Sequence, residues 1–265
     1  MKLGIFQSAG NFMDAQRNLD LIERVARSAS QQDAHFLIFP ELFLSGYNIG
    51  GDAARLAEPA DGPSSERAAA IAAEHHIALL YGYTESGDGA LYNSAMLIDA
   101  QGTRLANYRK THLFGDEERR LFHPGDELVI ASIAGIKVGI LICYDIEFPE
   151  LVRSIVLQGA ELIAVPTALS APYYEIPTTV VRARAYENQV FVAYVDRVGV
   201  ERGLSFIGSS AVVGPDGHDL VRAGESEEIL MVSTIDPAAY EESRRLNTYT
   251  ADRRPELYRR VTSAD

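Results

Sequence analysis

The chain has 265 residues, of which 47% are hydrophobic and 23% charged, ordinary proportions for a globular protein, and no apolar tract is long enough to span a bilayer. Its formal net charge of -13 argues against a nucleic-acid or anionic-membrane partner, since either needs a concentrated basic patch. One cysteine excludes an internal disulfide and points to a reducing cytoplasm, and the opening MKLGIFQSAGNF lacks the apolar region and cleavage pattern of a signal peptide.

KLGIFQS predicts a first strand, and Asp14 to Gln32 an amphipathic helix with Leu19, Ile22, Val25 and Ala26 on one side. HFLIFP predicts the next strand, closed by Pro40, followed by a helix from Pro63 to His76 and a strand at IALLYGYTE. YNSAMLIDAQGTRLANYRK predicts a hairpin that turns at Asp-Ala-Gln-Gly, and ELVIASIAGIKVGILI a pair of strands broken at Ala134-Gly135. After Cys143 come a helix at PELVRSIVLQGA with Pro149 in its first turn, a strand at ELIAVPT, a helix from Ile176 to Asn188 and a strand at QVFVAYVD. GSSAVVGPDGHDL then echoes the form of NSAMLIDAQGTRL. The alternation predicts an α/β protein of two similar halves, with strands face to face, helices outside, and a single domain over residues 1–265.

Cys143 is the chemically informative residue. A lone cysteine after an apolar run is ordinarily a small buried hydrophobe. Here, however, IKVGILI stops at the cysteine and turns at once to Tyr-Asp-Ile-Glu-Phe-Pro-Glu, which puts the thiol at a strand-to-helix corner, the exposed position that nucleophiles favour. A nucleophile needs a base, and none of His35, His75, His76, His112, His123 or His218 sits in a cysteine-protease context. HExxH, CxxC, GxSxG, P-loop and complete GxGxxG patterns do not occur, so metal, serine-hydrolase and nucleotide readings lack a motif. Acids and a lysine at strand ends offer an alternative. Glu41 follows an apolar strand, where a carboxylate gains affinity for a proton, and Lys110 ends another strand. Taken alone, Lys110 reads more simply as a solvated hairpin lysine and Glu118 as a surface helix acid.

FPELFLSGY, YRKTHLFG, EERRLFHPGD, LICYDIEFPE and RARAYENQVFV stand in the order and spacing of the nitrilase superfamily, the carbon–nitrogen hydrolases with a Glu–Lys–Cys triad, and the chain resembles that family from its first strand to about Asp236. Within the superfamily, SGYNIG, YRKTHLFG and ICYDIEFPE are similar to bacterial 5-aminopentanamidase-type aliphatic amidases. The resemblance implies a four-layer α-β-β-α sandwich, assembled as a homodimer or larger oligomer through helical faces, with the segment 237–265 a helix and tail used in subunit contacts. It makes Glu41 the general base, Lys110 the oxyanion cation, Cys143 the nucleophile and Glu118 a second glutamate that positions substrate and Lys110. No cofactor or metal is implied. A nearby cation would also favour the thiolate without a histidine.

The implied activity is hydrolysis of a small linear amide through a cysteine thioester, with an ω-amino amide such as 5-aminopentanamide as a candidate substrate. A nitrilase or an N-carbamoyl-amide hydrolase would use the same triad, and a catalytically silent binding protein of this fold is the alternative of a different class. The expected acyl pocket comprises Tyr47, Tyr144, Ala168, Leu169 and Tyr173, with PTALSAPYYEIP as the specificity loop and Glu147 or Glu175 as the acid that would meet a substrate amine.

Overall fold

The computed structural model describes residues 1–263. In chain order its strands are β1 (Lys2–Gln7), β2 (Phe36–Ile38), β3 (Ala78–Gly87), β4 (Ala90–Ile98), β5 (Arg104–Arg109), β6 (Val129–Ile133) and β7 (Ile136–Ile140), then β8 (Leu162–Pro166), β9 (Phe191–Val195), β10 (Val200–Glu201), β11 (Leu204–Ser205), β12 (Ala211–Val213), β13 (Asp219–Arg222) and β14 (Ile229–Thr234). The helices are α1 (Ala15–Ser30), α2 (Ala53–Leu56), α3 (Pro63–His75), α4 (Gly115–Leu121), α5 (Pro149–Leu157), α6 (Val181–Asn188), α7 (Glu241–Leu246) and α8 (Arg259–Thr262).

Two six-stranded sheets result, ordered β14-β1-β2-β3-β4-β5 and β6-β7-β8-β9-β12-β13. Starting from β14 in one and β6 in the other, the pairings run antiparallel, parallel, parallel, antiparallel, antiparallel in both. The echo between NSAMLIDAQGTRL and GSSAVVGPDGHDL is therefore a structural equivalence, because β4–β5 and β12–β13 are the corresponding hairpins.

Side-chain alternation explains the layering. Leu3, Ile5, Phe36, Ile38, Leu80 and Leu97 share one apolar core with Val138, Ile140 and Val192 of the second sheet, and this core continues to Val152, Ile155, Val181 and Ala185 on α5 and α6. The intervening residues Leu37, Leu79, Met96 and Ile98 point the other way and pack with Leu19, Ile22, Val25 and Ile71 of α1 and α3. The result is the α-β-β-α sandwich. The start of α1 is set by the Asp14 carboxylate, which accepts from the Arg17 N–H at 3.0 Å. Pro63 opens α3, and His76 ends it in the left-handed conformation at φ 51.

Two segments depart from expectation. ILMVST, unassigned from sequence, is β14 and pairs with β1 along its whole length. The expected helix from Ile176 is wound as a π-helix over Ile176–Val180 before α6 begins at Val181. The segment after Asp236 holds the short helices α7 and α8, preceded by the 3-10 turns Pro237–Tyr240 and Pro255–Leu257, each opened by a proline at its first position. Residues 264 and 265 lie outside the described residues.

Candidate active site

Glu41, Lys110 and Glu118 come from three separate loops and helices and meet in a buried ion cluster. Lys110 directly follows β5, and its Nζ donates to Glu41 Oε1 at 2.7 Å and to Glu118 Oε1 at 2.8 Å, all three side chains being essentially inaccessible to solvent. An ammonium has three protons, so two are committed to carboxylates and one is left for a ligand. Burial pulls Lys110 down, but the charges of Glu118 and Glu41 more than reverse it and hold the lysine well above its ordinary range.

Glu41 follows Pro40 at the end of β2, and its N–H donates to the Thr167 carbonyl beyond β8 at 3.3 Å. Asn93, within β4 and bonded through its carbonyl to the Lys110 N–H, donates its side-chain amide to Glu41 Oε1 at 2.6 Å. Glu41 Oε2 is buried and has no hydrogen-bond partner among the described residues. Burial raises the Glu41 pKa, with Lys110 opposing, as the strand-end position leads one to expect. Glu118, on α4, is no surface acid: Oε1 also accepts from the Tyr47 hydroxyl at 2.6 Å, and Oε2 from the Phe114 N–H at 2.9 Å.

Cys143 does lie at the strand-to-helix corner, opening the 3-10 turn Cys143–Glu147 that leads into α5, but the corner is not exposed. Its residue exposure is 7%, and its backbone sits at φ 47, a conformation rare for a side-chain-bearing residue. Burial pushes the thiol well above its ordinary pKa, Glu41 adds to that, and Lys110 together with an N–H from Ala168 only partly opposes it. Burial, more than any neighbouring charge, thus makes the thiol hold its proton more tightly than an ordinary cysteine, so the cation alone does not free the sulfur and a base is needed to take the proton.

A cavity of about 300 Å³ opens at Cys143, and its walls include all five expected pocket residues, Tyr47, Tyr144, Ala168, Leu169 and Tyr173. Tyr173 is 43% exposed and stands at the rim, edge-on to Phe114 at 5.7 Å between ring centroids. Glu147 lines the cavity as well, whereas Glu175 is exposed and lies outside its lining. Burial raises the Glu147 pKa against the charges of Lys110 and Arg184.

The supporting residues were not legible from sequence. Arg197, fully buried after β9, donates to the carbonyls of Ala9 at 2.6 Å, Glu41 at 3.3 Å and Leu42 at 3.4 Å, and to Glu201 Oε1 at 2.6 Å. Glu201 Oε2 in turn accepts from the N–H groups of Tyr47 and Asn48, each at 2.8 Å. A buried polar chain therefore runs from the Glu41 backbone to the tyrosine that holds Glu118. Asp145 makes a second such connection between the Lys110 and Cys143 loops. Only the placement of Asn93 left a trace in sequence, at the start of the apolar run SAMLI beside the lysine hairpin.

Comparison with known proteins agrees with this geometry. Residues 2–245 match the carbon-nitrogen hydrolase family. A protein of Pseudomonas protegens called "Hydrolase in pqqF 5'region" is 49% identical over 97% of this chain and 90% of its own, and an (R)-stereoselective amidase of a Pseudomonas species is 38% identical over 96% and 92%. The crystal structure of an amidase from Nesterenkonia sp. superposes with a TM-score of 0.89 at 38% identity, over 98% of this chain and 96% of that one. Variants of that amidase have been solved with butyramide, with acrylamide, and with the acetamide moiety of fluoroacetamide added covalently at its active-site cysteine. This chain belongs to the carbon-nitrogen hydrolase family of the nitrilase superfamily.

Proposed function

We propose that the protein is an amidase that converts a short linear amide to a carboxylic acid and ammonia through a thioester on Cys143. The observation that carries the reading is Lys110 held between Glu41 and Glu118 with one proton uncommitted, beside a cysteine that opens on a small cavity. Glu41 Oε2, without a hydrogen-bond partner among the described residues, takes the thiol proton as the sulfur attacks the carbonyl carbon. The carbonyl electron pair moves to oxygen, where the ammonium of Lys110 and the Tyr144 N–H receive it. Collapse of this adduct expels ammonia, which leaves with the proton held by Glu41. A water then loses a proton to Glu41 and attacks the thioester, and the departing sulfur takes that proton back. The sum is amide plus water to acid plus ammonia.

A cavity of about 300 Å³ is at the small end for ligand sites and suits a short acyl group. Glu147 in its wall supports the finer reading that the far end of the substrate carries an amine, as in 5-aminopentanamide; Glu175, exposed outside the lining, drops out of that role. The reading further takes the chain as one domain, working in a reducing cytoplasm that keeps Cys143 a thiol. It also takes the protein as a homodimer joined through the α5–α6 side, where Leu157, Tyr249 and Tyr258 are exposed. A panel of amides, nitriles and N-carbamoyl compounds assayed for ammonia release tests the reaction. Turnover of short amides alone is the expected result. Preferred turnover of nitriles or N-carbamoyl compounds would reassign the substrate, and none at all would leave a binding protein.

A further inference from the structure

The two residues that must cooperate, Lys110 and Cys143, belong to different loops, and one buried side chain spans both. Asp145 is fully buried, and its carboxylate is met by five hydrogen-bonding groups among the described residues. Oδ2 accepts from the Tyr108 hydroxyl at 2.8 Å and the Ile142 N–H at 3.0 Å. Oδ1 accepts from the Thr111 hydroxyl and the His112 N–H, both at 2.9 Å, and lies 3.0 Å from His112 Nδ1.

These partners bracket the reacting residues. Tyr108, Thr111 and His112 flank Lys110 on both sides, while Ile142 and Asp145 itself flank Cys143. The cysteine holds a left-handed backbone at φ 47 that costs conformational energy unless its surroundings fix it. The bond from Ile142 N to Asp145 Oδ2 closes the turn around it. On the far side of the same turn, Arg184 donates to the carbonyls of Ile146 at 2.9 Å and Glu147 at 2.8 Å. The ring of His112 stacks on Phe148 at 3.9 Å, which orients its Nδ1 toward the carboxylate. Removing one acceptor would orphan several buried donors at once, so the carboxylate is demanded by its surroundings as well as by the turn.

We infer that Asp145 is a positioning residue, which sets the distance and angle between the Lys110 ammonium and the Cys143 sulfur by fastening their two loops to one carboxylate. This rests on the proposed nucleophilic role of Cys143. A displacement of about 1 Å at a reacting centre can cost about a hundredfold in rate, and that sets the expected size.

The test uses the full-length protein with Asp145→Asn, the double variant Tyr108→Phe/Thr111→Val, and Cys143→Ala as control. Asp145→Asn should lower kcat about a hundredfold with KM changed by less than about threefold. The rate at which iodoacetamide, an amide-shaped reagent, alkylates Cys143 should fall in step, read by intact-protein mass spectrometry on protein that keeps its circular dichroism spectrum. The double variant leaves the cysteine turn intact and removes the two hydroxyl bonds on the lysine side, leaving the carboxylate only His112 there. It should lower kcat at least about tenfold, and it decides the matter if Asp145→Asn does not fold. Wild-type kcat and alkylation in a folded Asp145→Asn, or in the double variant, would overturn the inference. Retained turnover by Cys143→Ala would instead remove the nucleophile reading beneath it.

Discussion

The Cβ that Gly82 lacks would fall 2.8 Å from the Cα of Glu41 and 2.3 Å from the N of Leu42. β3 thus passes directly beneath the backbone that presents Glu41, the proposed general base. Gly82 donates to the Pro40 carbonyl at 3.3 Å and accepts from Leu44 at 3.2 Å, so the contact is a bonded one on both sides of Glu41. Gly82→Ala should cost about 1–3 kcal/mol of stability and lower kcat by displacing the carboxylate. Gly51, whose Cβ would meet nothing within 4 Å, supplies the control. Thermal melts and kcat that match between Gly82→Ala and Gly51→Ala would contradict the contact.

Cys143→Ala should abolish ammonia release while the fold persists, since only a sulfur is removed at a turn. Mass spectrometry of the wild type with a slowly turned-over amide should reveal a thioester adduct that is missing in the variant. Hydrolysis by Cys143→Ala at the wild-type rate would end the nucleophile assignment.

Lys110→Ala should lose about a hundredfold to a thousandfold in kcat, the cost of one oxyanion donor, and more if the two carboxylates left behind repel each other. Glu118→Gln separates the roles. It keeps an acceptor for Lys110 and Tyr47 but removes a charge, so turnover should drop while amide binding survives. An unchanged rate would return Glu118 to a structural role.

Asp196 offers a pH test away from the reacting atoms. Burial pushes its pKa well above the carboxylate range, opposed by the N–H groups of Leu169 and Arg197, each 2.7 Å from Oδ1, while Oδ2 has no partner among the described residues. A carboxyl with a raised folded pKa binds more protons folded than unfolded, so its contribution to stability is greatest below the unfolded value of about 4 and declines as pH rises toward the folded one. Asp196→Asn keeps both N–H bonds without the charge. The variant should therefore gain in Tm relative to wild type as pH rises from about 4 to 8. A constant difference across that range would show that Asp196 titrates normally.

Glu147→Gln addresses the substrate. An ion pair worth about 1 kcal/mol predicts that kcat/KM for 5-aminopentanamide falls about fivefold while that for pentanamide holds, at moderate salt where long-range attraction to the acidic surface is screened. Equal values for the two amides in wild-type protein would discard the amine and leave a general aliphatic amidase.

Local pattern carried the layers. The near-continuous apolar runs in HFLIFP and IALLYGYTE call for a sheet covered on both faces, and the corner at LICYDIEFPE is written in the change from an apolar run to a turn ending in Pro149. The segments that bear Glu41, Lys110, Glu118 and Cys143 were likewise legible, through their likeness to a known family. What sequence could not decide is the electrostatic state of those residues and what holds them. Whether Lys110 activates a thiolate depends on how many carboxylates share it, and Glu41 and Glu118 reach it from positions 69 and 8 residues away in the chain. The corner expected to be exposed is instead closed over by packing, and that burial, with the nearby Glu41 charge, raises the pKa of the thiol. Arg197, Glu201 and Asp145 have no local signature at all, since a buried charge looks the same in sequence as a surface one until packing shows which donors surround it. β14 was missed for the same cause: its partner, β1, lies at the opposite end of the chain, and only the closing of the sheet brings Lys2 against Thr234.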